Sequence, residues 1–268
     1  MAVTSAADLA RLAVNLADVR ERIEAAARAA GRDPAELTLV AVSKTWPASD
    51  VLGLWALGVT HFAENREQEA APKVAAVLAA LATGPSGGGG PEAGEGTAVA
   101  GGPPAGPASP VWHFVGQLQR NKVNAIARWA DWVQSVDRPE LVASLSRAAV
   151  AGGRVLTICV QVCLDSPGGA GAAGRGGVAP GDVGSLTELV ANAEGLRLAG
   201  VMAVAPRGEP ARPAFARLRT VAERLWRDHP DARVISAGMS GDLEDAVAEG
   251  ATHLRIGTAL FGERRPVP

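Results

Sequence analysis

Three polar residues at the ends of apolar runs carry most of the chemistry that this sequence offers: Lys44, Ser240 and Thr258. Lys44 closes LTLVAVSK (37–44), so a strand that reads as buried on both faces ends in a long cation. Such a lysine either snorkels, with its stem on apolar atoms and its ammonium in water, or turns its amine inward. Partial burial disfavours the ammonium, lowers the pKa and leaves a neutral amine that attacks carbonyls. Ser240 and Thr258 lie in SAGMSGDLEDA (236–246) and RIGTALFGE (255–263), where a strand passes through Gly-containing backbone into a helix start. A hydroxyl beside the free N–H groups of a helix N-terminus is an anion site. Taken singly, each is an ordinary cap; their joint meaning depends on what brings them together.

The elements that would do so alternate along the chain. Leu9, Leu12, Leu16, Val19 and Ile23 recur at spacings of three and four, which predicts an amphipathic helix over 6–31, closed by Gly31 before Pro34. Strands are expected at 37–43, 60–64, 111–116, 132–136, 155–163, 198–205, 233–237 and 252–257. Between most of them lie alanine-rich helical stretches, at 48–57, 65–82, 119–129, 138–150, 183–193, 211–228 and 242–249. Eight strands with intervening helices predict an α/β fold of the closed (β/α)8 TIM-barrel type with an extra N-terminal helix. An open doubly wound sheet is the alternative, and it would usually show a Gly-rich fingerprint after strand one, where this chain has Ser-Lys-Thr-Trp-Pro.

Residues 83–110 break the rhythm with Gly, Pro and Ala and nothing to bury, which predicts a disordered insertion. The alternation continues in step on both sides, so residues 1–268 are read as one barrel domain. A second loose stretch, 165–182, follows strand five and would lie over the C-terminal face. Composition bounds the rest. Hydrophobic residues make up 47% and charged residues 20%, as in globular proteins with a sizeable core. The net charge of −2 gives no broad footprint for nucleic acid. Cys159 and Cys163, four apart on one strand, share a face but sit too far apart to bridge, and read as buried thiols in a reducing compartment. The N-terminus lacks a signal-peptide pattern and no apolar run is long enough to span a bilayer, so a cytoplasmic protein is expected. No pair of the four histidines has metal-ligand spacing.

In a (β/α)8 barrel the loops after strands seven and eight frequently cradle phosphate. Ser240 and Thr258 then act as a pair, and Lys44 joins them from strand one at the same mouth. Together they fit a phosphorylated aldehyde held at both ends. Pyridoxal 5′-phosphate (PLP) needs both contacts, a Schiff-base lysine and a phosphate clamp.

The motifs LVAVSKTWPASDV, HFAENREQEA, WHFVGQLQRNK, SVDR, GVMAVAP and ISAGMSGDLEDAVAEGATHLRIGTALFGER occur in that order between Leu37 and Arg264. In this they closely resemble the pyridoxal phosphate homeostasis proteins. The resemblance implies a fold type III PLP barrel, similar to the N-terminal domain of bacterial alanine racemase. It also implies a Schiff base at Lys44, phosphate contacts from Ser240, Gly257 and Thr258 with Met239 beside them, and Arg255 facing the pyridine nitrogen. Asn65 and His113 are candidates to line the ring, with a core or rim role equally open to His113. The chain departs from the family pattern at Arg66, where relatives often carry tyrosine, at Cys163 for asparagine, and at Gln117 for proline.

Three functions compete. The first is a PLP-binding homeostasis protein that carries or buffers the cofactor without robust catalysis, with apo PLP-dependent enzymes as acceptors and a monomeric state. The second is a PLP-dependent amino-acid enzyme of racemase type. The third is a phosphosugar-type barrel enzyme in which Lys44 forms a Schiff base with substrate. Two-base racemisation has no obvious second base, because the chain contains no tyrosine and lacks the additional β-domain of alanine racemases. The third lacks a partnering acid or base. The first reading is favoured.

Overall fold

The computed structural model describes residues 5–83, 109–165 and 176–263. The expected insertion at 83–110 falls, apart from its ends, outside the described residues, as does most of the loose stretch at 165–182.

Eight parallel strands close into a barrel in chain order: β1 (Thr38–Val42), β2 (His61–Glu64), β3 (Val111–Phe114), β4 (Trp132–Val136), β5 (Leu156–Gln161), β6 (Leu196–Met202), β7 (Val234–Ser236) and β8 (His253–Ile256). Closure is made by β1, which pairs with both β2 and β8, setting Val40 opposite His61 on one side and Arg255 on the other. The expected (β/α)8 barrel is therefore the fold. Its helices are α1 (Ala6–Ala29), α2 (Ala48–Ala56), α3 (Glu67–Ala82), α4 (Val123–Ile126), α5 (Pro139–Ala151), α6 (Val183–Ala191), α7 (Ala211–Asp228), α8 (Leu243–Ala248) and α9 (Thr258–Phe261).

Two apolar layers hold this together. A large cluster fills the space between the barrel's outer face and the helices, with Phe62, Trp112, Leu141, Leu156 and Phe215 among its fully buried members. A small one, Cys159, Ala199 and Met202 with Trp132, Val204 and Val234 against it, is contributed by β4 to β7. Strand alternation separates the two, since successive residues face helices or barrel interior. Gly200 is required between β6 and β7: at φ 152° it brings its Cα so close to Val234 that a Cβ would lie 2.0 Å from the Val234 carbonyl oxygen.

The N-terminal helix is capped by Ser5, whose hydroxyl accepts from the Asp8 N–H at 3.0 Å. Its stripe of Leu12, Leu16, Val19 and Ile23 is buried as the spacing predicts, each side chain contributing about 1.5–3 kcal/mol. Helix α1 packs on α2, α8 and α9, the helices that follow β1, β7 and β8. The expected helix at 119–129 shrinks to α4 preceded by a 3-10 turn at Arg120–Lys122. Cys159 is buried and Cys163 half-buried just beyond β5, both free; burial pushes the Cys159 thiol up to about 12.

Candidate functional site

The chain leaves β1 in a tight turn. The Ser43 N–H still donates to Ala63 O (3.0 Å), and the Trp46 N–H returns to Ser43 O (3.0 Å). Between them Thr45 sits at φ 69°, the one non-glycine residue with positive φ among those described. A β-branched residue there costs on the order of 1–3 kcal/mol and persists only where its surroundings impose it. Those surroundings are a buried polar knot behind the turn. Glu64, fully buried, accepts from the Ser43 hydroxyl (2.7 Å) and from Lys73 Nζ (2.6 Å), and Lys73 also donates to Ser43 O (2.7 Å).

That knot distinguishes the lysines. The chain has three: Lys44, Lys73 and Lys122. Lys73 is committed to Glu64 and Ser43, and Lys122 pairs with Glu67 at 3.3 Å. Lys44 lines a cavity of about 300 Å³ at the C-terminal mouth, together with Val42, Thr45, Trp46, Met239, Ser240, Gly241, Arg255, Gly257, Thr258 and Gly262. Larger grooves lie on the outer surface, one of about 1010 Å³ between α4 and α5, but that one has no lysine on its walls.

Opposite Lys44, the loops after β7 and β8 are tied to each other. Ser240 Oγ accepts the Ala259 N–H at 3.2 Å, so this hydroxyl spans the two loops. The first amides of α9 have no partner inside the helix, and Gly257 and Thr258 carry them to the cavity wall. Helix α1 braces the assembly from behind through backbone carbonyls. Arg22 donates to Ser240 O (3.0 Å), Asn15 to Leu260 O (2.8 Å) and Arg11 to Phe261 O (2.6 Å). Trp46 stacks on Phe261 with centroids 5.6 Å apart, joining the Lys44 turn to α9.

Arg255 forms a third polar wall, nearly buried at 4% exposure. Its Nη1 donates to Ser236 Oγ (2.7 Å) and its Nη2 to Ala203 O (2.8 Å), both neutral acceptors. Burial lowers its pKa to about 10, partly offset by the Asp242 carboxylate, and it remains a cation at neutral pH. Burial in turn raises Asp242, whose carboxylate accepts from the Met239 N–H.

Six of the eight residues expected from the sequence thus meet in one cavity: Lys44, Met239, Ser240, Arg255, Gly257 and Thr258. Two do not. Asn65 follows β2, and its backbone is pressed against Gly116, where a Cβ would lie 2.0 Å from the Asn65 carbonyl oxygen. For His113 a core role was equally open, and it is fully buried in the barrel interior and does not line the cavity. Its Nδ1 lies 2.7 Å from Gln134 Nε2 and its Nε2 2.9 Å from His61 Nδ1, and its ring stacks on Trp132. Burial holds it well below the usual histidine range, with the His61, His253 and Arg255 charges adding to the effect. Both ring nitrogens are already occupied. Thr45, Trp46 and Gly262 were missed, although the run Lys-Thr-Trp-Pro and the glycine ending α9 (φ 92°) mark the two turns that carry them.

A closed parallel barrel with a lysine after β1 and a hydroxyl-and-amide cradle after β7 and β8 defines the racemase-type barrel class. The family model described as alanine racemase, N-terminal domain, matches residues 14–265. Within that class the chain belongs to the pyridoxal phosphate homeostasis protein family. It is 41% identical over 262 residues to the pyridoxal phosphate homeostasis protein of Mycobacterium tuberculosis, covering 93% of this chain and 92% of the other. The Pseudomonas aeruginosa protein of the same name is 41% identical over 259 residues, covering 96% and 97%. Among solved structures, PipY of Synechococcus elongatus, determined with PLP bound, superposes with a TM-score of 0.71 at 31% identity, covering 94% of this chain and 100% of that one.

Proposed function

We propose that this chain binds PLP at the C-terminal mouth of its barrel and serves intracellular PLP homeostasis, carrying or buffering the cofactor in the cytoplasm as a monomer. The observation that carries this reading is the convergence of Lys44, Ser240, Thr258 and Arg255 on one cavity of about 300 Å³. When bound, PLP supplies an aldehyde that condenses with a primary amine. Lys44 provides that amine from a turn fixed by Ser43 and Glu64. Ser240, Gly257 and Thr258 offer hydroxyl and amide donors for the phosphate, and α1 holds their backbone in place. Arg255, with no carboxylate in direct contact among the described residues, donates hydrogen bonds only and suits a neutral ring nitrogen.

That arrangement supports carriage over turnover. Racemisation needs a base on each face of the bound substrate and benefits from a protonated ring nitrogen. Lys44 serves one face, the chain has no tyrosine for the other, and Arg255 leaves the ring nitrogen uncharged. No helix among the described residues is long and apolar enough to cross a membrane, in keeping with a cofactor carrier that meets apoenzymes in solution.

Mixing the PLP-loaded protein with an apo PLP-dependent enzyme tests this. The acceptor should gain activity, and added alanine or serine should undergo negligible deuterium exchange at Cα. Multiple-turnover racemase or transaminase activity that disappears in Lys44→Ala would replace the homeostasis reading with the enzyme one.

A further inference from the structure

Arg255 does not stand alone. Its Nη1 donates to Ser236 Oγ, the Ser236 hydroxyl donates to Gln134 Oε1 (2.7 Å), and Gln134 Nε2 donates to His113 Nδ1 (2.7 Å). His113 Nε2 lies 2.9 Å from His61 Nδ1. Ser236, Gln134 and His113 are all buried, and they come from three strands, β7, β4 and β3. The chain of contacts crosses the barrel from the cavity wall to the start of β2, and from Arg255 through Ser236 to Gln134 each donor meets an acceptor.

That direction has a consequence. A primary amide has distinct ends, so the Gln134 carbonyl is the only acceptor it offers to Ser236. With its hydrogen committed to Gln134, Ser236 presents lone pairs to Arg255 and draws one guanidinium arm down toward β7. Ala203 O draws the other toward β6. The plane of the guanidinium is thereby fixed by two neutral acceptors, where a carboxylate would have paired with it and quenched its charge. Arg255 also lines the cavity.

We infer that Ser236 and Gln134 are positioning residues for the bound cofactor, acting through Arg255 to hold a charged donor against the heterocyclic nitrogen of its ring. This rests on the PLP reading above. Neither residue lines the cavity.

The test compares PLP with its 1-deaza analogue, which has C–H in place of the ring nitrogen, on the full chain and on Ser236→Ala and Gln134→Met. Lys44 loading is read by absorbance and by borohydride trapping. The wild-type protein should prefer PLP over the analogue by about tenfold, the size of one charge-assisted hydrogen bond. Ser236→Ala should reduce that preference to about twofold or less by weakening PLP while leaving the analogue unchanged, and Gln134→Met should reduce it in the same sense. A merely structural role would weaken both ligands in equal proportion. Equal losses, or an unchanged preference in both variants, would overturn the inference, with Gln134→Met deciding the matter if Ser236→Ala does not fold. Failure of the wild-type protein to take either ligand onto Lys44 would instead overturn the PLP reading itself.

Discussion

The β7–β8–β1 sector of the barrel and the β2–β4 sector both place polar side chains where an apolar core would be easier to build, and they resolve the problem in opposite ways. In the first, Lys44, Ser240, Thr258 and Arg255 open onto a cavity, the backbone is strained at Thr45, and α1 braces the loops from outside. In the second, His61, His113 and Gln134 bond to one another and His113 stacks on Trp132, while Glu64 and Lys73 close on Ser43. A polar residue near a strand end is therefore placed for a ligand where the fold sets it on a cavity wall. Supporting polar groups, by contrast, bond mainly to each other, as Glu64 does through one carboxylate oxygen to Ser43 and Lys73.

The largest expected effect of breaking the contrast lies in the supporting sector. Glu64→Ala strands the Lys73 ammonium at 9% side-chain exposure and releases Ser43. Removing one partner of a buried pair costs about 3–5 kcal/mol, so thermal or urea unfolding should show a loss of that size. Glu64→Leu combined with Lys73→Met should recover most of it. A single substitution within about 0.5 kcal/mol of wild type would mean that the pair does not secure the turn.

Next comes the cradle. Ser240→Ala with Thr258→Ala removes two hydroxyl donors proposed to serve a phosphate dianion, and PLP affinity should fall at least about tenfold while pyridoxal affinity barely changes. Asn65→Ala should change PLP affinity by less than about twofold, because the cavity wall does not include it. Equal losses for PLP and pyridoxal would reduce Ser240 and Thr258 to helix caps.

A smaller effect concerns the buried rings. Burial lowers His253 from 6.5 to about 4 and lowers His61 and His113 as well. With folded-state pKa values depressed, the unfolded chain binds more protons below the ordinary histidine value. Stability is then complete above about pH 6.5 and is lost progressively as pH falls toward about 4. The melting temperature should drop through that window, and His253→Gln should flatten the drop. A profile equally steep in that variant would assign the loss to other groups.

The barrel was legible because strand and helix periods alternate in step across the chain, and the stripe of Leu12, Leu16, Val19 and Ile23 announced α1 without ambiguity. Lys44, Ser240 and Thr258 were legible because each sits where a strand gives way to a turn or helix. His113 was not. Sequence shows a histidine near a strand end, but whether its nitrogens are spent depends on Gln134 and His61, which lie on different strands and meet it only in the closed barrel. The bracing by Arg11, Asn15 and Arg22 was hidden for the same reason, since each bonds a carbonyl more than 200 residues away.

Borohydride trapping tests the assignment of Lys44 most directly. The protein is incubated with PLP, reduced, digested and mapped by mass. The adduct should fall on the peptide that holds Lys44, and Lys44→Ala should leave no stoichiometric adduct while Lys73 and Lys122 stay unmodified in their ion pairs. An adduct on Lys73 or Lys122 in the wild-type protein, or full labelling of Lys44→Ala, would contradict the assignment.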